Sequence, residues 1–165
     1  MKKIYLAGGC FWGTQHFIRQ IKGIKETIAG YANSNIENPK YEELKSHVSS
    51  AAETVEISYD EKIISLNEIL KLYFLTIDPE SIDKQGEDEG HQYRTGIYYV
   101  DNNDLPIINE EIKTLSNTYK NIHIEVKQLE NFYKAEEYHQ DYLIKNPQGY
   151  CHIPFKLIEL AKNYK

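Results

Sequence analysis

Residues 3–13 read KIYLAGGCFWG, a short apolar run followed by two glycines, a cysteine and the only tryptophan of the chain. The apolar run favours a β-strand. After it, Phe17, Ile18 and Ile21 recur at helical spacing, which predicts a helix that begins near residue 11. A strand, a Gly-Gly turn and a helix therefore follow one another, and Cys10 lies at the turn.

The position of Cys10 predicts a reactive thiol. The first amides of a helix have no partner inside the helix, and the helix dipole favours negative charge there. We therefore expect a lowered pKa for Cys10, with Phe11 and Trp12 as an apolar wall beside it. The alternative is a small buried cysteine packed among aromatic residues.

Length and charge are those of an ordinary globular domain. The chain has 165 residues and a formal net charge of −6, with its lysines scattered among acidic residues. This pattern argues against nucleic acid as a partner, which would need a concentrated basic face. Only Ile4 to Ala7 lie between the first lysines and the glycines, too few for a secretory signal, and no stretch approaches the roughly 20 apolar residues of a membrane span. We expect a protein without a membrane partner, and a monomer.

The two cysteines are far apart in sequence and form no CxxC pair. This excludes a disulfide framework, and the lack of a Cys/His cluster argues against a zinc site. The cytoplasm is therefore the expected location. No metal and no organic cofactor are expected.

The periodicity predicts alternating strands and helices. Strands are predicted at 3–7, 24–30, 53–59, 96–100 and 122–128, and helices at 11–20, 65–77, 106–119, 135–145 and 155–163. The clearest helix is 65–77, because it has one apolar stripe and a capping box of Ser65 and Glu68. The order predicts a single α+β domain over residues 1–165, with a mixed or antiparallel sheet in a split βαβ (ferredoxin-like) plait.

Two long irregular stretches, 31–52 and 78–95, interrupt this pattern, and residues 146–165 form a C-terminal tail. Irregular loops of this length are usually functional or disordered. The second contains acidic residues, Tyr93 and Arg94 between glycines. It is either part of a site, a solvated acidic loop or a nonspecific cation site, and it lacks the regular ligand spacing of a hard-metal site.

Glu53 is in register with Val55, Ile57 and Tyr59 along the strand predicted at 53–59. Period-2 alternation then directs its carboxyl to the apolar face. Burial would raise its pKa, so that it keeps a proton near neutral pH and serves as an acid. The alternative is that Glu53 precedes the strand and faces water.

Cys151 follows Pro147 and Gly149, which indicate a bend in a mobile tail. A mobile thiol that reaches a reactive cysteine is suited to capture a sulfenic acid as a disulfide. The alternative is an inert cysteine.

Six segments together resemble the A-type peptide methionine sulfoxide reductases along the whole chain. They are GCFWG at 9–13, GYA at 30–32, NPKYEE at 38–43, DEGHQYR at 88–94, YHQDYL at 138–143 and KNPQGYC at 145–151. The first of these is highly specific. The resemblance implies reduction of methionine sulfoxide of the S epimer, free or in proteins, and a thioredoxin-like dithiol that restores the enzyme.

The resemblance also implies the roles of individual residues. Cys10 would attack the sulfoxide sulfur, Glu53 would donate a proton to the sulfoxide oxygen, and Phe11 and Trp12 would hold the S-methyl group. Cys151 would be the resolving cysteine.

Three more residues gain roles by the same resemblance. Tyr41 and Tyr93 would donate hydrogen bonds to the sulfoxide oxygen, and Asp88 would organise polar contacts at the pocket.

The chain departs from the family pattern in three places. Ser50 and Ala51 stand where Gly-His is common, Lys45 stands where a cysteine or a small residue is frequent, and Ser34 replaces a usual glycine. No third cysteine follows Cys151, so a relay through a second resolving thiol is not expected. Two other interpretations remain: a cysteine enzyme that transfers acyl groups, and a non-catalytic module that binds a thioether or an apolar peptide.

Overall fold

A six-stranded sheet is the centre of the computed structural model, which describes residues 1–164. Its strands, in chain order, are β1 (Lys2–Ala7), β2 (Ile24–Ala32), β3 (Ala52–Tyr59), β6 (Gly96–Tyr99), β7 (Glu125–Gln128) and β8 (Phe132–Lys134). The short strands β4 (Lys84–Gln85) and β5 (Asp88–Glu89) form a separate hairpin. The helices are α1 (Phe11–Arg19), α2 (Tyr41–Lys45), α3 (Leu66–Phe74), α4 (Leu105–Leu115), α5 (Tyr142–Lys145) and α6 (Phe155–Asn163).

The sheet confirms the predicted split βαβ plait. Its strand order is β7-β6-β1-β3-β2-β8. The four inner strands are antiparallel and are connected through α1 and α3, as in a ferredoxin-like plait, and β7 adds a parallel strand at one edge. The architecture is therefore a single α+β domain with a mixed sheet.

Strand β3 is the best protected element of the sheet. It pairs with β1 on one side and with β2 on the other, and all eight of its residues are buried. Val55 and Ile57 pack in the main core with the apolar faces of α1 and α3. Glu53 has the same parity as these two residues and is only 1% exposed, as the strand pattern predicts.

Most predicted elements lie within a few residues of the observed ones. The capping box predicted for α3 is present, because Ser65 accepts a hydrogen bond from the Glu68 amide and the Glu68 side chain binds back. The continuous helix predicted over 135–145 is wrong. A short 3₁₀ turn and α5 replace it, and Asp141 between them has a left-handed φ of 52°, which breaks the helix.

The C-terminal tail consists of two different parts. Residues 146–154 are irregular, whereas α6 packs against α1 and buries Ile158 and Ala161 in the main core. No helix within residues 1–164 is both long and apolar enough to cross a membrane.

Candidate active site

The turn between β1 and α1 places Cys10 at the N-cap of the helix. Gly9 adopts a positive φ of 79°, which favours glycine, and its amide donates a hydrogen bond to the Tyr93 carbonyl at 3.1 Å. The Thr14 hydroxyl donates to the Gly8 carbonyl at 3.2 Å. The turn is thereby fixed from both sides, and Cys10 is 9% exposed.

Glu53 lies below the first turn of α1. Its Oε1 accepts a hydrogen bond from the Phe11 amide at 3.2 Å, and its Oε2 is shielded from solvent without a partner among the described residues. Burial raises the pKa of Glu53 to about 8, against the opposing effect of the Phe11 amide. The carboxyl is therefore neutral at pH 7 and has a proton to donate.

The predicted lowering of the Cys10 pKa is wrong. Burial raises the pKa of this thiol well above its usual value, and the charges of Glu53 and Asp88 act in the same direction. The first amides of α1 explain the error: Cys10 N donates to Asp88 Oδ2 at 3.3 Å and Phe11 N to Glu53. The carboxyls thus use two of these amides, burial outweighs the remaining hydrogen bond from the Trp12 amide, and the resting thiol is protonated.

Tyr41 and Tyr93 reach this site from the two long loops. Tyr41 begins α2, and Tyr93 lies in a 3₁₀ turn just after the β4–β5 hairpin. Burial raises the pKa of both phenols, and the charges of Glu53 and Cys10 also contribute. Both side chains are thus neutral hydroxyl donors close to Cys10 and Glu53.

An aromatic cluster forms a further side of the site. Trp12 stacks on Tyr142 with ring centroids 3.6 Å apart, and its Nε1 donates to His139 Nδ1 at 2.9 Å. The Phe11 ring lies 5.0 Å from the His139 ring and is almost fully buried. Phe11 and Trp12 therefore form one aromatic wall around His139, in which Trp12 stays partly exposed.

His139 is a residue whose place the sequence reasoning missed. Its ring is 1% exposed and also lies 5.0 Å from the Tyr41 ring, so it connects the aromatic wall with the phenol side. Burial lowers the pKa of His139, and its Nδ1 is occupied by the Trp12 donor. The sequence marks segment 138–143 only as a family motif, because a histidine among aromatic residues carries no specific signal.

The sequence does not predict the role of Glu136 either. It accepts hydrogen bonds from the Tyr31 hydroxyl at 2.7 Å and from the Tyr41 amide at 3.1 Å, and so fixes the start of α2 to the sheet. The contact joins residues 95 positions apart in sequence, which no local pattern predicts.

Asp88 connects the nucleophile turn with the C-terminal segment. Its Oδ2 accepts hydrogen bonds from the Cys10 amide at 3.3 Å and from the Tyr150 hydroxyl at 3.2 Å. Tyr150 directly precedes Cys151. The carboxylate therefore holds together the two parts of the chain that carry the cysteines.

Cys151 lies beside α1, three residues along the helix from Cys10. Its Sγ is 3.2 Å from the point where a Cβ on Gly13 would stand, and it donates a weak hydrogen bond to the Ile153 carbonyl at 3.4 Å. Both cysteines are free. Burial raises the pKa of Cys151, so its resting thiol is protonated.

The residues that depart from the family pattern stabilise the first long loop. Ser34 Oγ lies 2.8 Å from Ser49 Oγ, and Ser50 exchanges hydrogen bonds with Asn35 at 3.0 and 2.8 Å. Ala51 is fully buried in the core. The part of the loop that precedes Glu53 is thus fixed by hydrogen bonds between its serine and asparagine residues.

Residues 1–164 contain no group of three or more His, Cys, Asp and Glu side chains arranged to hold a metal ion. The reactive groups of the site are instead two thiols, one neutral carboxyl and two phenols. Such a set on this scaffold defines a thiol-dependent oxidoreductase.

Comparison with known proteins identifies the family. The family model for peptide methionine sulfoxide reductase matches residues 2–164. The peptide methionine sulfoxide reductase MsrA of Lachnoclostridium phytofermentans is 53% identical over 163 residues, 98% of either chain. That of Clostridium perfringens is 56% identical over 154 residues, 93% of this chain and 98% of the relative. The chain belongs to the peptide methionine sulfoxide reductase family and is an oxidoreductase that reduces methionine sulfoxide.

Solved structures of related proteins have the same fold as this chain. Mxr1 from Saccharomyces cerevisiae in its reduced form superposes with a TM-score of 0.87 at 36% identity, covering 91% of this chain and 88% of Mxr1. Mxr1 has also been solved in complex with Trx2, with a TM-score of 0.58 at 27% identity over 86% of this chain and 84% of Mxr1.

Proposed function

We propose that Cys10 is the nucleophile of the reduction and Glu53 its acid. The observation that carries this proposal is the unpartnered, solvent-shielded Oε2 of a carboxyl with a pKa of about 8, next to the Cys10 turn. A sulfoxide oxygen is a poor leaving group until it is protonated. A neutral carboxyl with a free oxygen supplies that proton at the start of the reaction.

The first step balances with these groups alone. The Cys10 sulfur bonds to the sulfoxide sulfur, the oxygen is protonated by Glu53, and the thiol proton returns to the Glu53 carboxylate. The hydroxyl oxygen then forms a bond to the Cys10 sulfur while its bond to the substrate sulfur and the new S–S bond break, which leaves a sulfenic acid on Cys10 and releases methionine. The cysteine sulfur is oxidised and the substrate sulfur is reduced. Because the resting thiol is protonated, no proton has to come from bulk water.

The phenols and the aromatic wall offer separate places to the polar oxygen and to the apolar methyl group of the substrate. Tyr41 and Tyr93 are neutral donors for the oxygen, and Phe11 and Trp12 offer the methyl group an apolar surface. With oxygen, methyl and the rest of the substrate each assigned a place, only one configuration at sulfur exposes its open face to Cys10. We assign the S epimer, following the family resemblance.

The second step forms a disulfide. The Cys151 thiol attacks the Cys10 sulfenic acid, the S–S bond forms and water leaves. The place of Cys151 beside Gly13 of α1 supports this pairing, because positions three residues apart on a helix are neighbours. A thioredoxin-like dithiol then reduces the disulfide. The complex of Mxr1 with Trx2 supports such a partner.

We assign the whole chain to a single catalytic domain that works in the cytoplasm. The support is that both cysteines are free, as a reducing compartment requires between turnovers.

Single-turnover chemistry with separated sulfoxide epimers tests the proposal. The reduced enzyme should form one methionine from the S epimer without added reductant, and Cys151→Ser should retain this burst while losing thioredoxin-driven cycling. Cys10→Ser should form no methionine. A burst that survives in Cys10→Ser, or undiminished cycling in Cys151→Ser, would contradict the assignment.

An ester substrate serves as the control for acyl transfer. The wild type should release no burst of its leaving group. Binding of a sulfoxide without its consumption would instead favour a non-catalytic module.

A further inference from the structure

His152 packs against the nucleophile turn, yet the reaction described above does not use it. One edge of its ring faces Gly9, with Nε2 2.8 Å from the point where a Cβ on Gly9 would stand. The other edge faces Gly13, with Nδ1 2.9 Å from the corresponding point there. The absence of side chains at both glycines leaves the space that this ring fills.

The ring nitrogens of His152 are unusual because both are shielded from solvent and neither has a hydrogen-bond partner among residues 1–164. Shielded polar atoms are nearly always paired in folded proteins. The unpaired nitrogens leave the ring free to take up a proton beside the Cys151 thiol.

The surroundings favour one tautomer. The edge that carries Nε2 faces the Gly8-Gly9 turn. The Gly8 carbonyl, which can only act as an acceptor, raises the pKa of the ring, although the two do not form a regular hydrogen bond. The proton therefore belongs on Nε2. The lone pair is then on Nδ1, which faces the same point beside Gly13 as Cys151 Sγ, while the resting thiol donates to the Ile153 carbonyl.

The charge state fits a base. Burial lowers the pKa of His152, and the Asp88 carboxylate and the Gly8 carbonyl oppose that effect without overcoming it. The ring is thus neutral at rest, while Asp88 stabilises the imidazolium that would form. The titratable groups that act on the ring or lie beside it are the Asp88 carboxyl and the Cys151 thiol.

Cys151 needs a base because its resting thiol is protonated. Burial raises the pKa of Cys151, whereas the thiolate is the species that attacks a sulfenic acid. A protonated thiol without a base would react slowly at neutral pH.

We propose that His152 is the general base of the second step, taking the proton of Cys151 on Nδ1 as Cys151 attacks the sulfenic acid of Cys10. The S–S bond forms, hydroxide leaves Cys10, and the imidazolium returns the proton to it as water. This inference rests on the proposed roles of Cys10 and Cys151.

Rapid-quench single turnovers of reduced enzyme with excess methionine sulfoxide and no reductant separate the two steps. Methionine reports the first step, and the loss of two thiols reports the disulfide. His152→Gln and His152→Phe should keep the methionine burst, accumulate sulfenic acid that dimedone traps, and form the disulfide about 10²-fold more slowly at pH 7.

His16→Gln is the matched control. His16 lines a cavity of about 290 Å³ together with Cys151, and its Nδ1 is also shielded and unpartnered. We expect normal disulfide formation in this variant. If His16→Gln slowed the second step and His152→Phe did not, His16 would be the base, and the proposal would be overturned.

Two further measurements distinguish a base from a packing residue. Imidazole in the buffer should accelerate the disulfide step of His152→Gly but not that of the wild type. The deficit of His152→Phe should also shrink as pH rises, because the Cys151 thiol then ionises without help. A pH-independent deficit without rescue would show that the ring only packs.

The wild type alone provides a test that needs no substitution. With a base of lowered pKa, the rate of disulfide formation should be level between pH 7 and pH 8, whereas a thiol without a base should react about tenfold faster per pH unit. A tenfold rise would refute the proposal. Loss of the methionine burst in Cys10→Ser remains the separate test of the proposed function.

Discussion

The two cysteines lie in structurally opposite parts of the molecule. Cys10 follows a buried strand at the centre of the sheet and opens a helix, whereas Cys151 lies in the irregular segment 146–154 between two short helices. The acid Glu53 comes from β3, whose residues are all buried. The attack on substrate is thus built on buried elements, whereas the resolving thiol lies outside regular secondary structure.

This difference fits the demands of the two steps. Attack on a sulfoxide needs fixed geometry between a nucleophile, an acid and an apolar wall. Disulfide formation needs Cys151 to move toward Cys10, and Cys151 lies outside regular secondary structure, between the Tyr150 contact to Asp88 and the buried Ile153. Changes in the sheet should therefore affect the first step, and changes near the segment should affect the second.

The largest expected effect is that of Glu53→Gln on the first step. The amide keeps the shape of the carboxyl but has no acidic proton, so the rate of methionine formation should fall by about 10²–10⁴-fold with substrate binding nearly unchanged. The single-turnover rate measures this.

Glu56→Gln on the opposite face of β3 is the control, and its first step should be normal. Glu56 binds Tyr5 at 2.7 Å and takes no part in the proposed reaction. A normal first step in Glu53→Gln would transfer the acid role to a phenol or to water.

Glu53 should also affect stability in a pH-dependent way. The folded protein holds this proton up to about pH 8, whereas the unfolded carboxyl loses it near pH 4.5. The contribution of Glu53 to stability is fully present below pH 4.5 and declines by about 1.4 kcal/mol per pH unit up to about pH 8. Urea unfolding at pH 5 and pH 7.5 should show that Glu53→Gln lacks this decline. Equal pH slopes in both proteins would contradict a neutral buried carboxyl.

Trp12→Ala should weaken the methyl side of the pocket. The loss of an apolar contact to one methyl group costs about 1–3 kcal/mol, so kcat/KM should fall about 10–200-fold. Trp12→Phe keeps an aromatic ring and should lose less. If kcat/KM were unchanged in Trp12→Ala, the methyl pocket would have to lie elsewhere.

Gly13→Ala should have the smallest effect on the first step and a specific effect on the second. The new methyl would stand 2.9 Å from His152 Nδ1 and 3.2 Å from Cys151 Sγ, so the C-terminal segment must shift. We expect a normal methionine burst and about tenfold slower disulfide formation, of the order of a lost hydrogen-bond or packing contact. If Gly13→Ala slowed only the methionine burst, the assignment of the C-terminal segment to the second step would be contradicted.

Much of the site was predictable because its chemistry is local in sequence. The Gly-Gly turn placed Cys10 at the start of α1, and the alternation of β3 placed Glu53 on the buried face; both are confirmed. The pKa of Cys10 was not predictable, because it depends on carboxyls that arrive from β3 and from the β4–β5 hairpin.

The sequence by itself determined the plait, the nucleophile turn and the family, because these follow from periodicity, glycine positions and ordered motifs. Only the tertiary structure decided which groups meet there. It directed the first amides of α1 to Asp88 and Glu53, placed His139 behind Trp12, and seated His152 between Gly9 and Gly13. Each of these contacts joins segments that are far apart in the chain, and burial and charge act through space rather than along the sequence.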